Sequence, residues 1–203
     1  MSTLIAFKCK DFVIVAASGT EGHYYIKIRD DGDTITQLDD SKLLACSGEN
    51  GDRVNFTEYV KVNIALNRVR SHHGYSTPAI ASYIRETLAK SLRRAPYHVQ
   101  SLICGYDKPL SPHDDTPEGT HLYYCDYLGT LSAVPFAAHG YGATFAMALL
   151  DDQWRQDLTP QQGVDLMQKC CDEVRRRIIM SNDHFVVKVI SKANGIETLS
   201  NVH

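Results

Sequence analysis

The N-terminal segment Met1–Ser18, MSTLIAFKCKDFVIVAAS, holds two apolar runs around a short polar pair. The runs are Leu4–Phe7 and Phe12–Ala17, and Lys10–Asp11 lies between them. Both runs are rich in β-branched and aromatic residues and are too short for buried helices, which predicts a β-hairpin. Because they are apolar at almost every position, we expect both strands to be covered on both faces. A buried strand this early places the start of the chain at a sheet edge or in a cleft.

The composition is that of an ordinary globular protein. The 203 residues carry a net charge of −3, and 43% of them are apolar, so nothing indicates nucleic acid or a membrane surface as a partner. We expect one domain over residues 1–203, with no signal peptide, propeptide or membrane-spanning segment. The six cysteines show no C-x-x-C spacing, and Cys46 and Cys104 sit in apolar runs. This predicts reduced, buried thiols in a cytosolic or nuclear protein.

Beyond the hairpin, groups of strands alternate with pairs of helices. Apolar spacings of three and four predict an amphipathic helix over Asp52–Val69. A second helix is predicted to start where Thr77 caps Pro78, and two more are expected over Thr144–Asp152 and Thr159–Met180. Consecutive helix pairs argue against a doubly wound parallel sheet. They favour an α+β fold of four layers, in which two antiparallel β-sheets are flanked by helix pairs.

Several local assignments go with this architecture. The stretch Phe136–Ala143 is interpreted as the lead into the third helix, and the Asn194–Gly195 turn as the end of the domain. Lys108–Gly119 contains three of the prolines and is interpreted as a surface excursion. The face of the first helix is assigned the apolar residues Val54, Phe56, Tyr59, Val60, Val62, Ile64, Leu66 and Val69. Further strands are expected at Tyr24–Ile28, Thr34–Leu38, Leu43–Gly48, Val99–Asp107, His121–Asp126, Gly129–Val134 and Phe185–Ile190.

Motifs along the whole chain carry a family resemblance. They are the opening Ser2–Ser18, then Ser47–Asp52, Ala95–Val99 with Cys104–Asp107, and Tyr124–Thr130 with Pro135–Gly142. With these motifs the chain resembles the β subunits of the proteasome, within the N-terminal-nucleophile hydrolase superfamily. The resemblance implies a four-layer αββα sandwich and assembly with other α and β subunits into the 28-subunit 20S core particle of stacked rings. It also implies unfolded polypeptide as the substrate in the chamber, no cofactor, and a location in cytoplasm and nucleus.

The resemblance also locates the positions of a possible active site. Catalytic family members use an N-terminal threonine hydroxyl as nucleophile and its α-amine as base, tuned by a lysine and aspartates. Here Ser2 stands at the nucleophile position and Ser18 at that of the aspartate. Thr34, or its neighbour Asp33, stands at the lysine position. The serine of the family's glycine-rich stretch falls on Tyr141, and a later aspartate falls near Ile179.

These replacements predict a subunit without catalytic residues. We expect a non-catalytic structural subunit of the 20S β ring, which supports ATP- and ubiquitin-dependent protein degradation by positioning catalytic neighbours and is not an enzyme by itself. The alternative is a latent N-terminal serine hydrolase, because removal of Met1 would expose Ser2. Without the lysine, no local field makes that hydroxyl reactive at neutral pH. Acetylation of the amine would remove the base.

Four other motifs have both a functional and a structural interpretation, and we favour the structural one for each. His72–His73 could bind a metal but has no third ligand nearby, which indicates a solvated helix end. Gly140–Gly142 resembles part of a phosphate loop but indicates a tight turn between closely packed backbones. Asp30–Asp33 lacks the full spacing of a calcium loop. Arg175–Arg177 indicates a solvated helix end, or alternatively a subunit contact. No metal or cofactor site is therefore predicted.

Overall fold

Two antiparallel sheets form the centre of the molecule. A computed structural model describes residues 2–23, 26–29, 32–109, 118–178 and 184–199. Within them lie two five-stranded sheets and a separate two-stranded ribbon. The strands are β1 Leu4–Lys8, β2 Phe12–Ser18, β3 Glu21–His23, β4 Ile26–Arg29, β5 Ile35–Asp39, β6 Lys42–Gly48, β7 Val99–Asp107, β8 Gly119–Cys125, β9 Leu131–Ala133, β10 Phe136–His139, β11 Phe185–Ser191 and β12 Gly195–Leu199. The helices are α1 Asn50–Ser71, α2 Thr77–Ser91, α3 Ala143–Gln153 and α4 Pro160–Arg177.

The predicted opening hairpin is confirmed and lies inside the first sheet. That sheet has the order β10-β1-β2-β11-β12. β1 pairs with β2 from Leu4 opposite Ala17, and with β10 from Leu4 opposite His139. Every residue of β2 is buried, as its continuous apolar sequence requires. β1 is therefore an interior strand of the first sheet and not an edge strand.

The second sheet and the helices complete a four-layer α+β sandwich. The second sheet has the order β5-β6-β7-β8-β9. Apolar side chains form one layer between the two sheets, which includes Leu4, Val15 and Leu102. A second layer lies between the first sheet and α3 with α4, and a third between the second sheet and α1 with α2. Each fully buried large apolar side chain contributes roughly 1.5–3 kcal/mol of burial free energy.

The prediction for the buried face of α1 is wrong for five of its eight apolar residues. Only three of the eight apolar residues assigned to it, Phe56, Val60 and Ile64, are buried against the second sheet. The other five are exposed by 42–71%, because they fall on the opposite side of the helix: Val54, Tyr59, Val62, Leu66 and Val69. A helix of 3.6 residues per turn presents only about a 100°-wide stripe to one sheet. α1 therefore has an apolar face that this chain itself leaves uncovered, which we call the α1 outer face.

The start of α2 also differs from the prediction. Ser76 is the N-cap, and Thr77 is already the first helical residue. The Thr77 hydroxyl donates to Asp107 at 2.9 Å, and its backbone N–H donates to the same carboxylate at 2.8 Å. A carboxylate from β7 thus takes over the capping role assigned to Thr77. At the start of α4, Thr159 is the N-cap and forms a reciprocal capping box with Gln162.

Three strands, β3, β10 and β12, were missed by the sequence analysis, and β3 is only three residues long. Phe136–His139, interpreted as a lead into α3, forms β10 beside β1. The Asn194–Gly195 turn does not end the domain, since β12 follows it and pairs with β11. β10 and β12 are also short and have mixed polarity, so neither shows a period-2 pattern long enough to detect.

All six cysteines are free and buried, as predicted. No helix in the described ranges is long and apolar enough to cross a membrane. Outside the described residues lie most of the Lys108–Gly119 excursion, residues 30–31 of the Asp30–Asp33 motif, and Ile179.

Candidate functional site

Ser2 is held at the junction of both sheets. Its carbonyl accepts a hydrogen bond from the Ser47 hydroxyl of β6 at 2.9 Å. A Cβ added to Gly140 would lie 2.5 Å from the same carbonyl oxygen. The next residue, Thr3, accepts from the backbone N–H of Ser18 at 2.9 Å through its own carbonyl. The position of the family's nucleophile is therefore part of the fixed sheet structure.

The turn between β10 and α3 is built for close backbone approach. Gly140 has a φ of +87°, and a Cβ on Gly142 would lie 2.7 Å from the Thr3 side chain. The Gly142 N–H donates to the Thr3 hydroxyl at 3.2 Å. The prediction of a tight turn is thus confirmed. Tyr141 is 73% exposed, and no described contact brings its side chain to Ser2.

Two neutral residues stand where the family has its charged pair. Ser18 ends β2 and is buried, opposite Phe185 of β11. Thr34 precedes β5 and is also buried, and within the described residues its hydroxyl has no hydrogen-bond partner. Neither side chain carries a charge that could tune the Ser2 hydroxyl.

An ammonium group nevertheless reaches this region from another strand. Lys188 of β11 donates to the Asp33 carboxylate at 2.6 Å and to the Ile35 carbonyl at 2.7 Å. Sequence reasoning missed Lys188, because its partners are more than 150 residues away in the chain. The available signal was a lone lysine inside the apolar run Phe185–Ser191.

His139 is a second residue that the sequence analysis missed. It ends β10, is buried, and stacks on Tyr124 with ring centroids 4.3 Å apart. Burial lowers its pKa to about 4, against smaller opposing effects of a backbone hydrogen bond to Ser101 and the charge of Asp126. The imidazole is therefore neutral at pH 7. The only sequence signal was a histidine flanked by small residues, Ala138 and Gly140.

Among the described residues, this region offers the Ser2 hydroxyl, the neutral Ser18 and Thr34, and the Lys188 ammonium, which already binds the Asp33 carboxylate. Ile179, aligned near a family aspartate, lies outside the described residues. The other motifs do not join this region. Within the part of the chain that the structure describes, no cluster of metal-ligating side chains occurs. His72 and His73 are exposed at the end of α1.

The Arg175–Arg177 run makes contacts inside its own subunit. Arg175 pairs with Asp172 at 2.7 Å and lies over the Phe185 ring, 5.3 Å from its centroid. Arg177 pairs with Glu173 at 2.6 Å. Arg176 is exposed at the solvated end of α4.

Comparison with known proteins decides the family. The sequence profile described as "Proteasome subunit" matches residues 1–190. The chain belongs to the proteasome subunit family. It is therefore a member of the N-terminal-nucleophile hydrolase superfamily, and its two-sheet sandwich is the fold expected of a proteasome β subunit.

Similar proteasome subunits come from distant eukaryotes. "Proteasome subunit beta type-2" of Trypanosoma brucei brucei is 53% identical over 203 residues, covering 98% of each chain. The protein of the same name from Dictyostelium discoideum is 41% identical over 199 residues, covering 98% of this chain and 97% of its own. "Proteasome subunit beta type-4" of Saccharomyces cerevisiae is 37% identical over 193 residues, covering 95% and 94%. The similarity to these relatives supports the assignment of this chain as a 20S proteasome β subunit, which works with other proteasome subunits in protein degradation.

Proposed function

We propose that this proteasome β subunit is non-catalytic. The observation that carries the proposal is the engagement of Lys188 by Asp33 and Ile35, with neutral Ser18 and Thr34 at the other tuning positions. An N-terminal hydroxyl needs a base and a stabilised charge to become nucleophilic at neutral pH. Because the Lys188 ammonium already binds a carboxylate, the described residues offer no free charge that would tune the Ser2 hydroxyl.

Its role is to hold its place in the particle and to position catalytic neighbours. The α1 outer face supports this role, because five large apolar side chains exposed along one helix are typical of a surface covered by a partner. We propose that this face meets another proteasome subunit. A heteromeric ring needs different contacts on each side of a subunit, and such contacts have apolar centres.

The family resemblance also supports a proposal for the finer setting of the subunit. We propose the β4 position in the 28-subunit 20S core particle, with unfolded polypeptide as the substrate of the chamber. The particle would act in ATP- and ubiquitin-dependent degradation, in cytoplasm and nucleus. The subunit itself requires no cofactor for this role.

A labelling experiment separates this function from the latent Ser2 hydrolase. The intact core particle would be treated with a peptide epoxyketone, which reacts with an N-terminal hydroxyl and amine together. Mass spectrometry of this subunit is expected to show no adduct at Ser2, while catalytic subunits of the same particle are modified and serve as the internal control. An adduct at Ser2 that a competing peptide substrate prevents would establish the hydrolase instead.

A further inference from the structure

Lys188 is a charged residue on an apolar face. Its neighbours on the same side of β11 are Val186 and Ile190, which both belong to the layer between the two sheets. Across the first sheet it pairs with Val15, which lies in the same layer. The Lys188 side chain is only 11% exposed. An ammonium group in such surroundings is costly unless it finds hydrogen-bond acceptors and an opposite charge.

The acceptors come from the other sheet. The Lys188 Nζ lies 2.6 Å from Asp33 Oδ2 and 2.7 Å from the Ile35 carbonyl oxygen. The second carboxylate oxygen of Asp33 accepts from the Ile35 N–H at 2.8 Å. The Lys188 ammonium, the Asp33 carboxylate and the backbone of Ile35 are therefore joined in a ring of three hydrogen bonds. We call this set the Lys188 latch.

The Lys188 latch acts on β5, one of the two edge strands of the second sheet. Within the described strands, β5 lies at the edge of its sheet and pairs with β6 alone. Ile35 lies opposite Ala45, and the Cys46 N–H reaches the Thr34 carbonyl, so the register continued to Asp33 places that residue opposite Ser47. Ser47 in turn donates to the Ser2 carbonyl. The latch and the Ser2 contact thus tie the two sheets together around the same end of β6.

We propose that Lys188 is a positioning residue that closes the layer between the two sheets at the Ser2 end. It supplies from β11 the cation that the resemblance would place just before β5, at residue 33 or 34, and this cation binds Asp33. When the latch is broken, the start of β5 separates from β11, and the layer between the sheets opens before the two outer layers do. This inference concerns how the sandwich is held shut and does not depend on whether Ser2 reacts.

The chain carries its own reporters for this opening. Cys104 lies in the layer between the sheets. Cys170 and Cys171 lie under α4, and Cys125 lies under α1 and α2. All four are buried and their thiol pKa values are raised by burial, so they react with alkylating reagents only when their layer opens. Alkylation rates measured by mass spectrometry on this subunit in the intact core particle therefore show which layer opens.

Substitutions of the two charged residues in the Lys188 latch are expected to have different effects on the alkylation rates. Asp33→Asn leaves Lys188 buried without its charge partner, whereas Lys188→Met leaves Asp33, which is 44% exposed and can be hydrated. We expect Asp33→Asn to raise the Cys104 alkylation rate about tenfold, and Lys188→Met to raise it less. The double variant should resemble Lys188→Met alone, because it no longer contains the ammonium group that Asp33→Asn leaves buried without a charge partner. Lys188→Arg, which keeps the cation, should stay close to the parent rate.

Control variants and control cysteines distinguish opening of the layer between the sheets from a general loss of stability. Lys90→Met removes an exposed ion pair with Glu86 on α2, where the side chains are 75% and 57% exposed, and should leave all rates unchanged. Cys170, Cys171 and Cys125 should stay protected in every variant. Unchanged Cys104 rates in Lys188→Met and Asp33→Asn, equal increases at all four cysteines, or additive effects in the double variant would each overturn the proposal. An epoxyketone adduct at Ser2 of the unaltered particle would instead contradict only the non-catalytic function.

Discussion

His139 shows how a single buried side chain makes the stability of this subunit depend on pH. Its pKa is lowered from an ordinary value of 6.5 to about 4, chiefly because burial disfavours the charged imidazolium. The ring stacks on Tyr124, and within the described residues its Nε2 atom has no hydrogen-bond partner. A proton added there would have to be buried without an acceptor.

Acid is therefore expected to destabilise the folded chain through His139. Because the folded-state pKa lies below the unfolded value, the stabilising effect is complete above pH 6.5 and is lost as the pH falls toward 4. Between pH 7.5 and pH 5 the loss in unfolding free energy should be about 2 kcal/mol. Urea denaturation of the full chain at the two pH values measures it.

A matched variant assigns that pH dependence to the residue. His139→Gln cannot take up the proton, so its unfolding free energy should change clearly less between the same two pH values, even if it is lower at both. An equally steep pH dependence in His139→Gln would place the titrating group elsewhere.

At the scale of elements, the attachment of α2 to the second sheet depends on a glycine. A Cβ on Gly105 of β7 would lie 2.1 Å from the Thr77 hydroxyl oxygen. Thr77 cannot move aside easily, because both its hydroxyl and its N–H are bound to the buried Asp107 carboxylate. Lys42 lies 3.4 Å from the same carboxylate and adds a second charge to the cluster.

Gly105→Ala should therefore destabilise the subunit by about 2–3 kcal/mol, because the added methyl group forces α2 away from β7. The matched control is Gly51→Ala in the first turn of α1, where an added Cβ meets nothing within 4 Å. That change should be neutral or stabilising by about 0.5 kcal/mol, through reduced freedom of the unfolded chain. Denaturation midpoints of the two variants test the difference, and equal midpoints would contradict the clash.

The elements also show what the sequence could and could not reveal. The opening hairpin and the four helices were predictable, because long apolar runs and periodic spacings report local structure directly. β10 and β12 were not, since each becomes a strand by pairing with a neighbour that the local pattern does not identify. The wrong face of α1 has a related cause, because apolar residues around a helix do not reveal which side a sheet will cover.

The candidate site was predictable only in part. Positions such as Ser2, Ser18 and Thr34 followed from the family resemblance of nearby motifs. Lys188 and His139 did not, because their roles arise from contacts between sequence-distant strands. Such contacts depend on the register of both sheets, which no single stretch of sequence contains.

At the scale of the whole molecule, the α1 outer face predicts how the subunit depends on its neighbours. Val62 is 53% exposed near the middle of this face. Val62→Asp should leave the fold of the subunit intact, because Val62 lies on the side of α1 that faces away from the second sheet. It should reduce incorporation into the core particle several-fold, because a carboxylate would be desolvated in a contact with an apolar centre.

Native gel electrophoresis with quantification of this subunit in particle and free fractions measures the effect. Val62→Ile keeps the apolar surface and should assemble like the unaltered chain. Normal assembly of Val62→Asp would show that the face is not a subunit contact.

The interior position of β1 has a consequence for biosynthesis. On the ribosome, the β1–β2 hairpin emerges first, but its outer neighbours β10 and β11 follow only after the entire second sheet and the α1–α2 pair. At about 5–20 residues per second, both hydrogen-bonding edges of an apolar hairpin stay open for on the order of ten seconds. Open, apolar strand edges are sites of aggregation. The nascent subunit is therefore exposed to aggregation through this hairpin until β10 and β11 take their places on either side of it.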